Sequence, residues 1–264
     1  MEHCALKIAY LGTAYCGWQV QANGLSVQRR LQDALETAFS GPVTVTGCSR
    51  TDAGVHARGF VCAVSGIPGS IPEEKIPEAV NSRLPADIAV LCAARVPDGF
   101  HPRYGAVGKE YVYRIRNSRI PDPFDDAYTV LWPTPRPLDA DLCGRLCGEL
   151  AGKHDYASFM TSGSSVSDTV RTVRSFSCRR EGDLLIFTVS ADGFLYNMVR
   201  ILVGTVLDLE SGLLTSTPSE IIASRSRASA GRTMPAKGLC LNRVFYPEDP
   251  FRNFPLSDSD SNVI

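Results

Sequence analysis

The stretch TGCSRTDAGVHARG, Thr46 to Gly59, sets a carboxylate, Asp52, two residues from a guanidinium, Arg50. Strand-like runs flank it, VTVTGCS before and FVCAVSG after, so the acid belongs to a connection. An acid there can serve as nucleophile or base. An Asp before Ala-Gly can also cap its own turn through its side chain. Arg200 shifts the balance. It lies in FLYNMVRILVGTVL, which is apolar on almost every side. A buried guanidinium is costly unless it meets a partner. The helix offers no carboxylate before Asp208, which leaves Asp192, close in sequence, and Asp52, from the opposite half. An Asp52–Arg200 pair would bring the groups within about 4 Å. The positive charge would lower the acid's pKa and keep it ionised. That state suits a nucleophile better than a general acid. Such carboxylates attack sugar carbons or activated ring carbons, glycosidic cleavage being the known setting. A sugar hydrolase usually needs a second acid, and none stands near Asp52 in sequence.

Aromatic and basic residues supply further candidates. In GKEYVYRIRN, alternation along a strand puts Lys109, Tyr111 and Tyr113 on one face. An aromatic in a basic strand can stack on bases, or simply pack. FHPRY, Phe100 to Tyr104, reads as a basic aromatic loop. The chain has 22 Arg and only 5 Lys, but its net charge is −1. No strong overall field draws it to a polyanion or a membrane. Phosphate binding would therefore require the Arg residues to be segregated on one face. The Arg excess has a compositional source too, since GC-rich coding favours it.

The other bulk features exclude more than they assign. Residues 1–7 lack an apolar signal core, and no run of 18 apolar residues exists to span a membrane. Nine Cys are scattered through apolar segments, as buried thiols in a reducing cytoplasm would be. Cys143 and Cys147 are one helical turn apart, but nothing nearby completes a four-ligand zinc set.

Two halves scan alike. In the first, LKIAYLG is a strand and SVQRRLQDALETAFSG a helix capped by Ser26 and stopped by Gly41. Val27, Leu31, Leu35 and Phe39 share that helix's inner face. VTVTGCS and FVCAVSG follow, then a helix around Pro77 in EEKIPEAVNSRL, then the strand DIAVLCAARV. The second half repeats this β-α-β-β-α-β order with EYVYRIRN, DADLCGRLCGEL, TVRTVRSFSCRR, DLLIFTVSAD, the long helix FLYNMVRILVGTVLDLES, the short one PSEIIASRS, and GLCLNRVFY. The expected architecture is α+β: an N-terminal half, 1–105, carrying the Asp loop, a C-terminal half, 106–248, and a polar tail, 249–264. Their strands would join in a continuous, mostly antiparallel sheet with helices on one face and a central cleft as the ligand site.

These residues also form a recognisable series. SRTDAGVHA resembles the signature of the tRNA pseudouridine synthase A family. So do NSRLPADI, FHPRYGAVGKEYVYRI, GKHDYASF, VRTV, ADGFLYNMVRILVGTVLDL and GLCLNRVFYP, in the family's order from about Lys7 to Pro247. Ser49, Phe60, Pro102, Tyr104 and Gly105 depart from the family's usual residues. The resemblance implies an isomerase that converts uridine to pseudouridine at positions 38–40 of the tRNA anticodon stem-loop. It implies a homodimer of the pseudouridine synthase fold, without cofactor or metal. It makes Asp52 the catalytic carboxylate, with Arg200 as its partner and Arg50, in the same loop, as a further catalytic residue. It places Tyr111 against the target base, with His56 and Arg58 also on the substrate. Two other readings fit part of the pattern. A non-catalytic RNA-binding module leaves Asp52 and Arg200 unexplained, and a nucleoside glycosidase would release free uracil.

Overall fold

The computed structural model describes all residues except 1, 23, 135, 162, 164, 165, 253 and 255–264. The expected polar tail therefore lies, beyond residue 254, outside the described residues. The first half runs β1 (Glu2–Tyr10), α1 (Val27–Phe39), β2 (Thr44–Gly47), β3 (His56–Ile67), α2 (Ile76–Asn81) and β4 (Ile88–Val96). The second runs β5 (Gly108–Arg116), β6 (Val130–Leu131), α3 (Ala140–Leu150), β7 (Gly152–Asp155), β8 (Val170–Glu181), β9 (Leu184–Ala191), α4 (Met198–Glu210), α5 (Pro218–Ser224) and β10 (Leu239–Phe245).

The strands form one sheet in the order β4-β1-β3-β10-β5-β9-β8-β7, with β2 added to β3 and β6 to β5. The β10–β3 and β5–β6 pairs are parallel and the others antiparallel. The last strand thus sits at the centre and welds β3 to β5. The α+β class and the continuous, mostly antiparallel sheet are as the sequence predicts. The short β6 and β7 carry too little alternation to be read from sequence.

Local chemistry sets the helix ends. Ser26 accepts a hydrogen bond from the Arg29 N–H and caps α1, while Val27, Leu31 and Leu35 are buried. The helix stops one residue before Gly41, at Ser40, which is left-handed with φ 52°. Pro77 falls in the first turn of α2, where its missing N–H costs nothing. The helix α4 is apolar all round because it is buried all round. It starts at Met198 rather than Phe194, because Asn197 is left-handed, with φ 60°, and Tyr196–Asn197 forms a turn closed by the Met198 N–H on Leu195 O. All nine Cys are free thiols; seven are buried, and Cys16 and Cys178 are half-buried. Among the described residues no helix is long and apolar enough to cross a membrane.

Candidate active site

Three segments meet around Asp52. The first is its own loop between β2 and β3. Its floor is the segment after β1: the Trp18 N–H donates to Thr51 O at 3.1 Å, and Tyr10 Oη lies 2.8 Å from Thr51 Oγ1. The Val55 N–H donates back to Asp52 O at 3.1 Å and closes the turn. Gly17 makes this approach possible. Its φ is +103°, and a Cβ there would lie 2.5 Å from Thr51 O. Beneath, the Trp18 ring stacks on Phe60 with centroids 4.0 Å apart. The Asp52 loop is therefore clamped on a rigid aromatic base.

The second segment is the first turn of α4. Arg200 donates from Nε to Met234 O at 2.6 Å and from Nη1 to Asn197 Oδ1 at 2.7 Å. Asn197 is itself held, since its Nδ2 donates to Thr161 Oγ1 at 3.0 Å. This geometry aims the guanidinium at Asp52, with Nη1 3.8 Å from Oδ2. The expected ion pair within 4 Å is present. Asp192, the other candidate, is engaged elsewhere and accepts the Thr172 N–H. The third segment, Pro235–Gly238, leads into β10 and brings Ala236 to the rim. The three segments and the Cys16–Gln21 stretch line an open cleft of about 450 Å³, with Cys16, Gln19, Thr51, Asp52, Tyr196 and Arg200 on its walls.

The electrostatics correct one expectation. Burial pushes the Asp52 carboxyl above its ordinary value, and Arg200 only partly offsets that. The charge argument left out two things. The acid is withdrawn from water, with its side chain 34% exposed, and the contact at 3.8 Å is an ion pair without a hydrogen bond. Arg200 gives its short hydrogen bonds to Asn197 and Met234 instead.

The remaining sequence candidates are spread around this centre. Tyr111 projects from β5 toward Asp52, near enough for the acid's charge to act on its hydroxyl, whose pKa is raised mainly by burial. It is 7% exposed, with the Phe194 ring edge-on at 5.1 Å, so it is a covered ring. Tyr113 is fully buried and donates its hydroxyl hydrogen to Pro235 O at 2.7 Å. Arg50 is exposed on the Asp52 loop. His56 is only 2% exposed: Nδ1 accepts the Gly12 N–H at 2.9 Å, so Nε2 donates to Lys237 O at 3.0 Å. Burial lowers its pKa, consistent with a neutral ring that ties the first segment to the third. Arg58 is exposed on β3, outside the cleft lining. In the FHPRY loop Tyr104 is 77% exposed, with His101 4.3 Å from its ring and Arg103 5.6 Å from its centroid.

Sequence reasoning missed Asn197, Thr161 and Met234, which hold Arg200, and the Cys16–Gln21 wall. Asn197 carried a faint signal, because Asn tolerates the left-handed turn that opens a helix.

The sequence is similar to known proteins over most of its length. The sequence matches the family described as tRNA pseudouridine synthase over residues 7–105 and 146–247. It is 45% identical to the tRNA pseudouridine synthase A of Moorella thermoacetica, over 91% of this chain and 98% of that protein. It is 44% identical to that of Halalkalibacterium halodurans, over 92% of each chain. For Clostridium kluyveri the identity is 41%, over 93% of this chain and all of the relative. The chain belongs to the tRNA pseudouridine synthase family, a family of isomerases.

Proposed function

We propose that the protein isomerises uridine to pseudouridine at positions 38–40 of the tRNA anticodon stem-loop, with Asp52 as the nucleophile. The observation that carries this reading is the Asp52 carboxylate at the cleft wall, faced by Arg200 and accepting no hydrogen bond among the described residues. The reaction breaks the N1–C1′ bond, turns the uracil, forms a C5–C1′ bond and moves the C5 proton. Atoms and electrons balance without water or a redox partner. Asp52 adds to C1′ or C6 and leaves again, or assists a proton loss at the sugar, and Arg200 orients it. A base inside a stem is out of reach until it is flipped out. Tyr111 supports the base from beneath, and Arg50, on the exposed loop, is a further catalytic residue beside Asp52. His56 acts on the substrate through the segment it braces, and Arg58 through phosphate contact. The halves 1–105 and 106–248 each supply one member of the ion pair. The working form is a cytoplasmic homodimer.

Incubation with unmodified tRNA, followed by nucleoside analysis and site mapping, tests the reading. The expected product is pseudouridine at positions 38–40, with RNA mass unchanged. Free uracil would indicate a glycosidase, and unaltered RNA a binding module.

A further inference from the structure

Tyr111 is a covered ring, 7% exposed with Phe194 edge-on to it, but the Asp52 cleft also holds an open one. Among the described residues Tyr196 is the single aromatic in the cleft lining, and it is 47% exposed. Its hydroxyl makes no hydrogen bond among those residues. A lone exposed ring needs no explanation by itself. This one shares a wall with Asp52 and Arg200. Val20, also 47% exposed, is the other large open apolar side chain of the lining, and it has no π-face.

The exposure follows from the turn that leads into α4. The Met198 N–H donates to Leu195 O at 3.1 Å, and the side chains at both ends of that turn are buried, at 5% for Leu195 and 1% for Met198. Tyr196 and the left-handed Asn197 lie between them, and the Tyr196 ring is left to the solvent. Thr161 fastens both residues. Its N–H donates to Tyr196 O at 3.2 Å, and its Oγ1 accepts from Asn197 Nδ2 at 3.0 Å. Asn197 accepts in turn from Arg200 Nη1, the same nitrogen that faces Asp52 at 3.8 Å. The open ring is therefore carried by the turn that aims Arg200 at the acid.

A uridine taken out of a stem loses the neighbours on both faces of its base. Stacking on an aromatic side chain restores part of that loss, and it needs only the ring. We propose that Tyr196 stacks on the extruded uracil and positions it for Asp52. Tyr111 supports the base from beneath, and Tyr196 takes its open face. The ring carries the contact, and the hydroxyl is dispensable. The proposal rests on tRNA uridine being the substrate.

The test is the fluorescence of 2-aminopurine placed beside the target uridine in an anticodon stem-loop, titrated with the full chain. The probe brightens when its neighbour leaves the stack. In the Asp52→Asn background no product forms, so the signal reports extrusion alone. The rise should persist with Tyr196→Phe and fall about fivefold or more with Tyr196→Ala. With Asp52 intact, Tyr196→Ala should lower kcat/KM for pseudouridine formation about 10- to 100-fold, and Tyr196→Phe should stay within about threefold of the unaltered protein. The melting temperature should change by no more than about 2 °C in either variant, because the side chain is exposed. A Tyr196 that merely braced Asn197 and Arg200 would slow turnover and leave the fluorescence rise intact. The proposal stands if Tyr196→Ala loses both the rise and the turnover while Tyr196→Phe keeps both. Any other pattern overturns it. Pseudouridine formation by the unaltered protein reports the substrate separately, so failure here leaves that reading in place.

Discussion

The two ends of α4 carry acid–arginine pairs of opposite character. At its C-terminal end Asp208 is buried and saturated. Arg232 donates from Nε at 2.7 Å and from its backbone N–H at 2.9 Å, with Nη2 2.6 Å from Oδ1. At its N-terminal end Arg200 faces Asp52 with one contact at 3.8 Å, and the acid accepts no hydrogen bond among the described residues. The first pair fastens the Gly231–Arg232 segment to the helix. The second leaves the carboxylate's lone pairs free beside a cleft. A structural acid has its acceptors filled by protein, and a reacting acid keeps them for substrate.

This contrast can be broken at several points. The largest effect belongs to Asp52→Asn, which should reduce pseudouridine formation by about 10⁴-fold or more. Binding of tRNA should stay within a few-fold, because phosphate contacts lie elsewhere. Single-turnover assays and filter binding separate the two. Next comes Arg200→Met, expected to cost about 10²- to 10³-fold through lost orientation and charge. Arg200→Lys should restore only part, since an ammonium lacks the planar fork. Asn197→Ala should lower kcat about tenfold while sparing tRNA affinity, because it loosens Arg200 without touching RNA. The smallest effect on turnover belongs to Asp208→Asn. It should reduce stability by about 2 kcal/mol in chemical denaturation, with turnover at permissive temperature changed by no more than a few-fold.

The central pairing was legible in the sequence because it followed from a cost. An Arg in an apolar helix requires an acid, and the Asp52 loop offered one. What holds the pair was not legible. Arg200 reaches Met234 O, 34 residues away, through a loop that no periodicity marks. The alternation of β5 gave the face of Tyr111 but not its cover, which Phe194 provides from another strand's end. The repeated half-plan was visible in the element order. The central position of β10, parallel to β3, was not, because strand order depends on contacts distant in sequence.

The pKa of Asp52 reports its setting most directly. Burial raises it, so its protonated form is favoured by folding. Its contribution to stability is full below the ordinary value of 3.8 and is lost as pH rises through the raised value. Asp52→Asn should accordingly stabilise the free protein at neutral pH, the reverse of Asp208→Asn. The direct measurement is the titration of the Asp52 carboxyl carbon by NMR, assigned by its absence in Asp52→Asn. A midpoint above 3.8, moving higher still in Arg200→Met, is the predicted result. A midpoint at or below 3.8 would contradict it.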